Sequence, residues 1–473
     1  MKKISFGTDG WRGIMADDFT FDNVRLVTQA VAQYINRHDL AARGVVVGYD
    51  NRFMSERFAA EIADVLALQG ITVYLTESSA PTPVVAMAVR LYRAGGAVML
   101  TASHNPPEYN GFKFIPEYAG PALPHITSEI EGYVKELQGE GQTGAVGRPG
   151  TKKAAIVKIN PFGEYAAHLA GLVDLEAIGA ARMKIAVDPM CGAGVGYLEE
   201  ILGRAGAEVT GMRCYRDPLF GGAMPEPTAK TLQELRQLAL EGKAQLGLAL
   251  DGDADRFGII DAGGAFITPN QFLPILYYHL LTHRRTLGPV ARTVATTHLL
   301  DRIAEWAGQK AIETPVGFKY IGQCFLEDGI ILGGEESGGL SIQGHVPEKD
   351  GILAGLLAAE IVAVNRKSLT GLLEEIHNQF GRLYSRRQDV HTSPGEKERV
   401  LGLLQELSWE AVAGRKVTGS SRVDGVKLLL EGGAWVLIRP SGTEPLFRIY
   451  AEAATQQEVE EIQAATRQLL GLK

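Results

Sequence analysis

The chain has 473 residues, 45% of them hydrophobic and 22% charged, with a formal net charge of −8. That composition suits a globular chain of several domains, each of about 100–150 residues. With no long basic block, it argues against nucleic acid or an anionic membrane surface as a partner.

In chain order, the N-terminus has two lysines but no apolar core of a signal peptide, and the three cysteines, Cys191, Cys214 and Cys324, form no C-x-x-C pair. Both features point to a cytoplasmic protein with reduced thiols. Gly7-Thr-Asp-Gly-Trp-Arg-Gly13 then places Arg12 in a glycine-rich loop after a first strand. Helical spacing follows over Val24 to Asn36, and the apolar run Val45 to Gly48 meets the polar Tyr49-Asp-Asn-Arg52. A second helical pattern covers Ser55 to Gln69, and Ala97-Val-Met-Leu100 runs into Thr101-Ala-Ser-His-Asn-Pro106. That loop should hold the Ser103 hydroxyl rigidly outward, while His104, as its sequence neighbour, should diverge from it. Read alone, Ser103 fits either an ST turn or a serine that accepts and donates phosphate, with His104 and Lys113 nearby. The stretch from Gln138 to Gly150 reads as a surface loop at a first domain boundary. Its Gly139-x-Gly141-x-x-Gly144 spacing follows no strand, so it is not a dinucleotide fingerprint.

Helical spacing returns at Thr231 to Glu241, and Leu246-Gly-Leu-Ala-Leu250 reads as a buried strand. It runs into Asp251-Gly-Asp-Ala-Asp-Arg256, with carboxylates at alternate positions. Alternate residues of extended chain share a face, so a tight loop can aim all three at one point. Three converging anions repel unless a cation sits between them, and oxygen ligands favour Mg²⁺ or Ca²⁺ over zinc. An EF-hand is excluded, because Arg256 and Ala262 stand where it needs Gly and Glu. The apolar stretches Phe272 to Leu281 and Ile352 to Val364 are short for a membrane span and read as buried helices. Ile330-Ile-Leu332 meets Gly333 to Gly339, whose Glu335 and Ser337 can face sugar hydroxyls or simply water. A further boundary falls near Phe380 to Leu383, and Ala434 to Ile438 leads into Arg439-Pro-Ser-Gly-Thr443. A guanidinium, two hydroxyls and a glycine-bent backbone there suit a phosphate nest or a plain turn. Strands alternating with helices indicate α/β units, whose ligands bind beyond the carboxyl ends of strands.

Taken together, Thr8 to Arg12, Thr101 to Pro106, Asp251 to Arg256, Gly334 to Gly338 and Arg439 to Pro445 resemble the α-D-phosphohexomutase superfamily, in order and along essentially the whole chain. The resemblance implies three related α/β domains with mixed sheets plus a smaller C-terminal α+β domain around a central cleft. It puts them at 1–155, 156–262, 263–381 and 382–473. It implies Ser103 as the phosphoserine, with Asp251, Asp253 and Asp255 holding Mg²⁺ together with an oxygen on Ser103. Arg12, Lys113 and Arg256 match positions around the transferring phosphoryl group, and His104, beside Ser103, joins them as a catalytic candidate. Gly317, Phe318, Lys319, Glu335 and Ser337 match sugar-reading positions, Lys349 resembles a lysine that contacts substrate, and Arg439, Ser441, Gly442 and Thr443 match the distal phosphate loop. Gly339 stands where many relatives carry His.

The implied activity interconverts hexose 1-phosphate and hexose 6-phosphate, glucose favoured, through a phosphoserine and a hexose 1,6-bisphosphate that is also the activator. The alternatives are a phosphomannomutase or a phosphoglucosamine mutase. More distant ones are a haloacid-dehalogenase-like phosphatase with Asp251 as nucleophile, and a non-catalytic sugar-phosphate sensor. Sugar phosphates are the expected partners, with no nucleic acid or membrane, in a cytoplasmic monomer or homodimer.

Overall fold

The computed structural model describes residues 4–7, 10–139, 152–441 and 445–472. Thr8, Asp9, Gly442, Thr443 and residues 140–150 of the expected Gln138–Gly150 boundary loop lie outside the described residues, whereas Gln138 and Gly139, expected in that loop, end the helix Pro124–Gly139. The chain forms two compact units. The first is Met1–Thr268 with Gly322–Gly329 and Ser337–Thr370; the second is Pro269–Ile321, Ile330–Glu336 and Gly371–Lys473.

The first unit holds two mixed sheets. One comprises β1 (Trp11–Ile14), β2 (Val45–Tyr49), β3 (Val73–Thr76), β4 (Gly96–Leu100), β5 (Tyr109–Pro116) and β6 (Ile156–Ile159), in the order β1-β5-β4-β2-β3-β6. β2 runs parallel to β3 and β4, whereas β5 runs antiparallel to β1 and β4. Val45, Val47, Val98 and Leu100 are fully buried, as strands covered on both faces must be. The helix Phe21–Arg37 explains its own limits: Thr20 caps its first turn, Asp22 and Arg37 complement the dipole, and Val24, Val27, Val31 and Ile35 repeat on its buried face. Tyr49 pairs with Leu100, so β2 and β4 end level and deliver the 50–53 and 101–108 loops to one edge.

The other sheet comprises β7 (Lys184–Asp188), β8 (Glu208–Gly211), β9 (Leu246–Leu250), β10 (Phe257–Ile260) and β11 (Phe266–Ile267), in the order β11-β10-β9-β7-β8. β9 lies parallel to β7 and antiparallel to β10, so the aspartate loop is the turn between two buried strands. The apolar stretch at 352–364 is the buried helix Gly351–Asn365, capped by the Asp350 side chain. An all-round apolar sequence requires such burial.

In the second unit, the apolar stretch at 272–281 is the buried helix Pro269–Thr282. Strands Val290–Thr293, Ala311–Thr314 and Leu332–Gly334 lie parallel, with the first in the middle. The C-terminal part is a six-stranded sheet from Tyr384 to Ala453 with antiparallel neighbours, packed by the helices Pro394–Gln405 and Gln456–Leu470. Among the described residues, no helix is long and apolar enough to cross a membrane.

Candidate active site

Ser103 sits in the left-handed region, at φ +51. Few residues other than glycine hold that conformation without support. The support comes from Arg52, whose buried guanidinium donates to the carbonyl oxygens of Ser103 (2.7 Å), Asn105 (2.6 Å), Pro106 (2.7 Å) and Tyr109 (3.0 Å). Asp50 holds Arg52 at 3.2 Å, and the Ser103 N–H donates to Thr101 Oγ1 at 2.8 Å.

Two expectations for this loop need correction. Ser103 does not project outward: it is 1% exposed and its hydroxyl donates to Asp251 Oδ2 at 2.9 Å. The cause is close apposition of the two loops. A Cβ on Gly252 would stand 2.4 Å from Ser103 O, so only glycine lets the backbones meet. Nor does His104 diverge, since its Nδ1 lies 3.3 Å from Ser103 Oγ. The left-handed turn swings the neighbouring side chain back. Burial, then Arg256 and Arg12, hold the His104 imidazolium down to about 2, so the ring is neutral.

All three aspartates are fully buried, and one carboxylate oxygen from each lies within 4.8 Å of the others. Asp251 Oδ1 accepts the Arg256 N–H at 3.1 Å. Asp253 Oδ2 accepts from Thr82 Oγ1 (2.7 Å) and Lys113 Nζ (2.8 Å). Asp255 Oδ2 meets Lys113 Nζ at 3.2 Å and Lys349 Nζ at 3.1 Å. Asp253 Oδ1 and Asp255 Oδ1 are buried without a hydrogen-bond partner among the described residues. A buried carboxylate oxygen is costly to leave unmatched. Burial, then the charges of Asp253 and Asp255, push the Asp251 carboxyl well above its usual range. Burial also opposes ionisation of Asp253, but Lys113, Thr82 and Lys349 together outweigh it and hold that carboxyl low. Orphaned hard oxygens, all-carboxylate donors and mutual repulsion fit a divalent cation of the Mg²⁺ type. Arg12 stands at the rim and donates to Asn105 Oδ1 at 2.5 Å.

The structure thus brings Ser103, His104, Lys113, Asp251, Asp253, Asp255 and Arg256 together, with Arg12, on β1, bonded to Asn105 of the Ser103 loop. Lys349, expected to contact substrate, is paired with Asp255.

Within the second unit, Glu335 is buried and its Oε1 accepts the Gly317 N–H at 3.1 Å. Phe318 is buried at the start of a helix, and Lys319 Nζ lies 5.5 Å from the Tyr320 ring centre. Asp424 Oδ2 accepts from both the Val316 N–H (3.0 Å) and Arg439 Nε (2.8 Å), and so ties the 316–319 loop to Arg439. Lys397 Nζ donates to the Ser441 carbonyl at 2.7 Å. Ser337 is exposed and belongs to the first unit.

Sequence reasoning missed Arg52, Thr82, Asp424 and Lys397. Arg52 left one signal, an arginine in a polar loop directly after a buried strand. The others left none, because their partners lie tens to hundreds of residues away.

Mixed α/β sheets that place a serine hydroxyl against a buried three-carboxylate, cation-ringed cluster define a phosphoryl-transfer enzyme. The phosphoglucomutase/phosphomannomutase family profiles match in sequence order: alpha/beta/alpha domain I at residues 3–140, domain II at 163–264, domain III at 268–380 and the C-terminal domain at 397–469. The phosphoglucomutase/phosphomannomutase of Thermococcus kodakarensis is 31% identical, with 96% of each chain covered. A protein of Methanosphaera stadtmanae assigned as a phosphoglucosamine mutase is also 31% identical, over 99% of each chain. The crystal structure of a Thermus thermophilus protein assigned as a phosphomannomutase superposes with a TM-score of 0.84 at 34% identity, covering 99% of each chain. The chain belongs to the phosphoglucomutase/phosphomannomutase family, isomerases that work by intramolecular phosphoryl transfer.

Proposed function

We propose that this enzyme interconverts hexose 1-phosphate and hexose 6-phosphate, with glucose favoured, through phospho-Ser103 and a hexose 1,6-bisphosphate. The observation that carries the reading is the Ser103 hydroxyl 2.9 Å from Asp251 in a cluster with two orphaned carboxylate oxygens. Asp251, Asp253, Asp255 and an oxygen on Ser103 would hold Mg²⁺, which when bound offsets phosphoryl charge. A phosphoserine carries about −1.5 to −2 charge, and Lys113, Arg256, Lys349 and Arg12 offset it as a hydroxyl approaches. In the first step the Ser103 O–P bond breaks and a sugar O–P bond forms. The sugar's proton ends on Ser103 Oγ, relayed by the neutral His104 at 3.3 Å. After the sugar turns end for end, the O–P bond at its other end breaks, a Ser103 O–P bond forms, and the Ser103 proton passes to the freed sugar oxygen, which restores phospho-Ser103. Glu335, Gly317, Phe318, Lys319 and Ser337 contact the sugar, and Arg439, Ser441, Gly442 and Thr443 hold the phosphate that is not reacting. Small sugar phosphates are its partners, in a cytoplasmic monomer or homodimer, with domains at 1–155, 156–262, 263–381 and 382–473.

Relatives named for glucose, mannose and glucosamine phosphates occur at similar identity. The mannose and glucosamine phosphates are therefore the competing substrates. Two measurements test the reading. Phosphopeptide mapping should find phosphate on Ser103; an acyl phosphate on Asp251 would sink the mutase in favour of a phosphatase. Ser103→Ala should retain the fold by circular dichroism and lose more than about 99% of turnover, the loss expected of a nucleophile. Parallel turnover of glucose, mannose and glucosamine 1-phosphates decides the sugar.

A further inference from the structure

Away from the aspartate cluster, the first unit carries a cavity of about 610 Å³ lined by Arg43, Arg90 and Arg93. The three come from two places: Arg43 from the turn before β2, and Arg90 and Arg93 from the end of the helix Thr82–Tyr92. Arg43 Nε donates to the Arg93 backbone carbonyl at 2.8 Å, a neutral group. The guanidinium groups of Arg90 and Arg93 have no hydrogen-bond or ion-pair partner among the described residues. Glu117 is the single carboxylate on the wall. The helix dipole accounts for cations at a helix C-terminus. It accounts neither for Arg43, which belongs to another element, nor for the cavity that all three face. All three arginines are exposed along this wall. Three arginines on one cavity wall create a local positive potential on a chain whose net charge is −8. One side of the cavity is apolar, with Val89 and Leu326, and the Tyr118 ring adds an aromatic surface.

The cavity is separate from the aspartate cluster yet connected to it. Thr82 touches Asp253 at one end of a helix whose other end carries Arg90, eight residues or about 12 Å away. Lys113, on Asp253 and Asp255, lies on the strand that runs on to Glu117, about 13 Å further. Pro347 lines the cavity two residues before Lys349, which holds Asp255.

We propose that this cavity is a second ligand site, which takes a small organic phosphate with at least two negative charges and adjusts the aspartate cluster through those three elements. Guanidinium forks match phosphate oxygens. The apolar wall and Tyr118 accept the organic part, and Glu117 accepts a hydroxyl. Binding at one site must alter affinity at the other reciprocally.

The test is calorimetric titration of the full chain, without Mg²⁺, with ADP and with inorganic pyrophosphate as probes. Wild type should bind both, and Arg439→Ala should retain that binding. Arg90→Ala/Arg93→Ala should weaken it by more than about tenfold, as expected from losing charge-assisted contacts. Leu326→Trp keeps all three arginines but narrows the cavity, and should weaken ADP far more than pyrophosphate. ADP should also change the KM for hexose phosphate in wild type and not in the double arginine variant. The proposal is overturned if the double variant titrates like wild type, if wild type binds neither probe, or if binding disappears in Arg439→Ala. Binding without any change in KM overturns the coupling. The binding arms do not depend on hexose phosphate turnover, so their failure is distinguishable from failure of the mutase reading.

Discussion

Arg52 is fully buried and satisfies four carbonyl oxygens of one loop, with Asp50 as its counter-charge. A planar fork with five donors can do this; a lysine ammonium cannot. Removing it strands Asp50 and leaves those carbonyls unpaired in a buried setting. Arg52→Ala should therefore cost about 3–5 kcal/mol, the scale for breaking a buried pair. Arg52→Lys should rescue little of the loss. Urea unfolding reads the stability, and turnover at saturating substrate reads the placement of Ser103. An Arg52→Ala protein of near wild-type stability would show that the loop holds itself.

At the scale of elements, two loops meet backbone to backbone and one C-terminal strand is pinned at two points by a buried lysine. Gly252→Ala inserts a methyl 2.4 Å from Ser103 O, where backbone rather than a flexible side chain must yield. It should cost about 1–3 kcal/mol, as overpacking does. Turnover should fall by more than about tenfold, because a small misplacement of the reacting group is costly; unchanged kcat would mean the loops part without consequence. Elsewhere, Lys427 is buried and donates to Val294 O (2.8 Å) and Glu313 Oε2 (2.7 Å), which anchors strand Val426–Leu430. Burial first, and Arg292 second, lower its ammonium from 10.5 to about 8. Below about pH 8 both folded and unfolded chains carry this proton, so the group adds no slope there. Between that value and 10.5 the unfolded chain binds the proton more tightly, so this group makes stability rise with pH. Lys427→Met lacks the effect. The stability difference, wild type minus variant, should grow by about 3 kcal/mol across that window. Urea midpoints at both ends measure it, and a flat difference would refute the shift.

For the whole molecule, the aspartate cluster joins stability to ligand. The mutual repulsion of its three converging buried carboxylates penalises the metal-free fold, and a cation that binds only the folded chain stabilises it by mass action. At a Mg²⁺ concentration of about 100 Kd the gain is about 2.7 kcal/mol. Thermal unfolding of wild type should shift upward with Mg²⁺, and Asp253→Asn should remove most of the shift. An equal shift in both proteins would place the ion elsewhere.

The sequence by itself determined the α/β alternation, the buried helices at 272–281 and 352–364, and the Ser103 and Asp251–Asp255 loops. Each is local: an apolar run forces burial, and the polar residues that follow it must emerge at a strand end. What only the tertiary structure decided depends on groups distant in the chain. The choice of Arg52, Thr82 and Lys349 as partners of the site, the tie from Asp424 to Arg439, and the inward rather than outward Ser103 all require two or more elements to be in place. Spacing along the chain carries no record of them, because the physical cause is apposition: a glycine that admits a second backbone, and buried charges that must find one another.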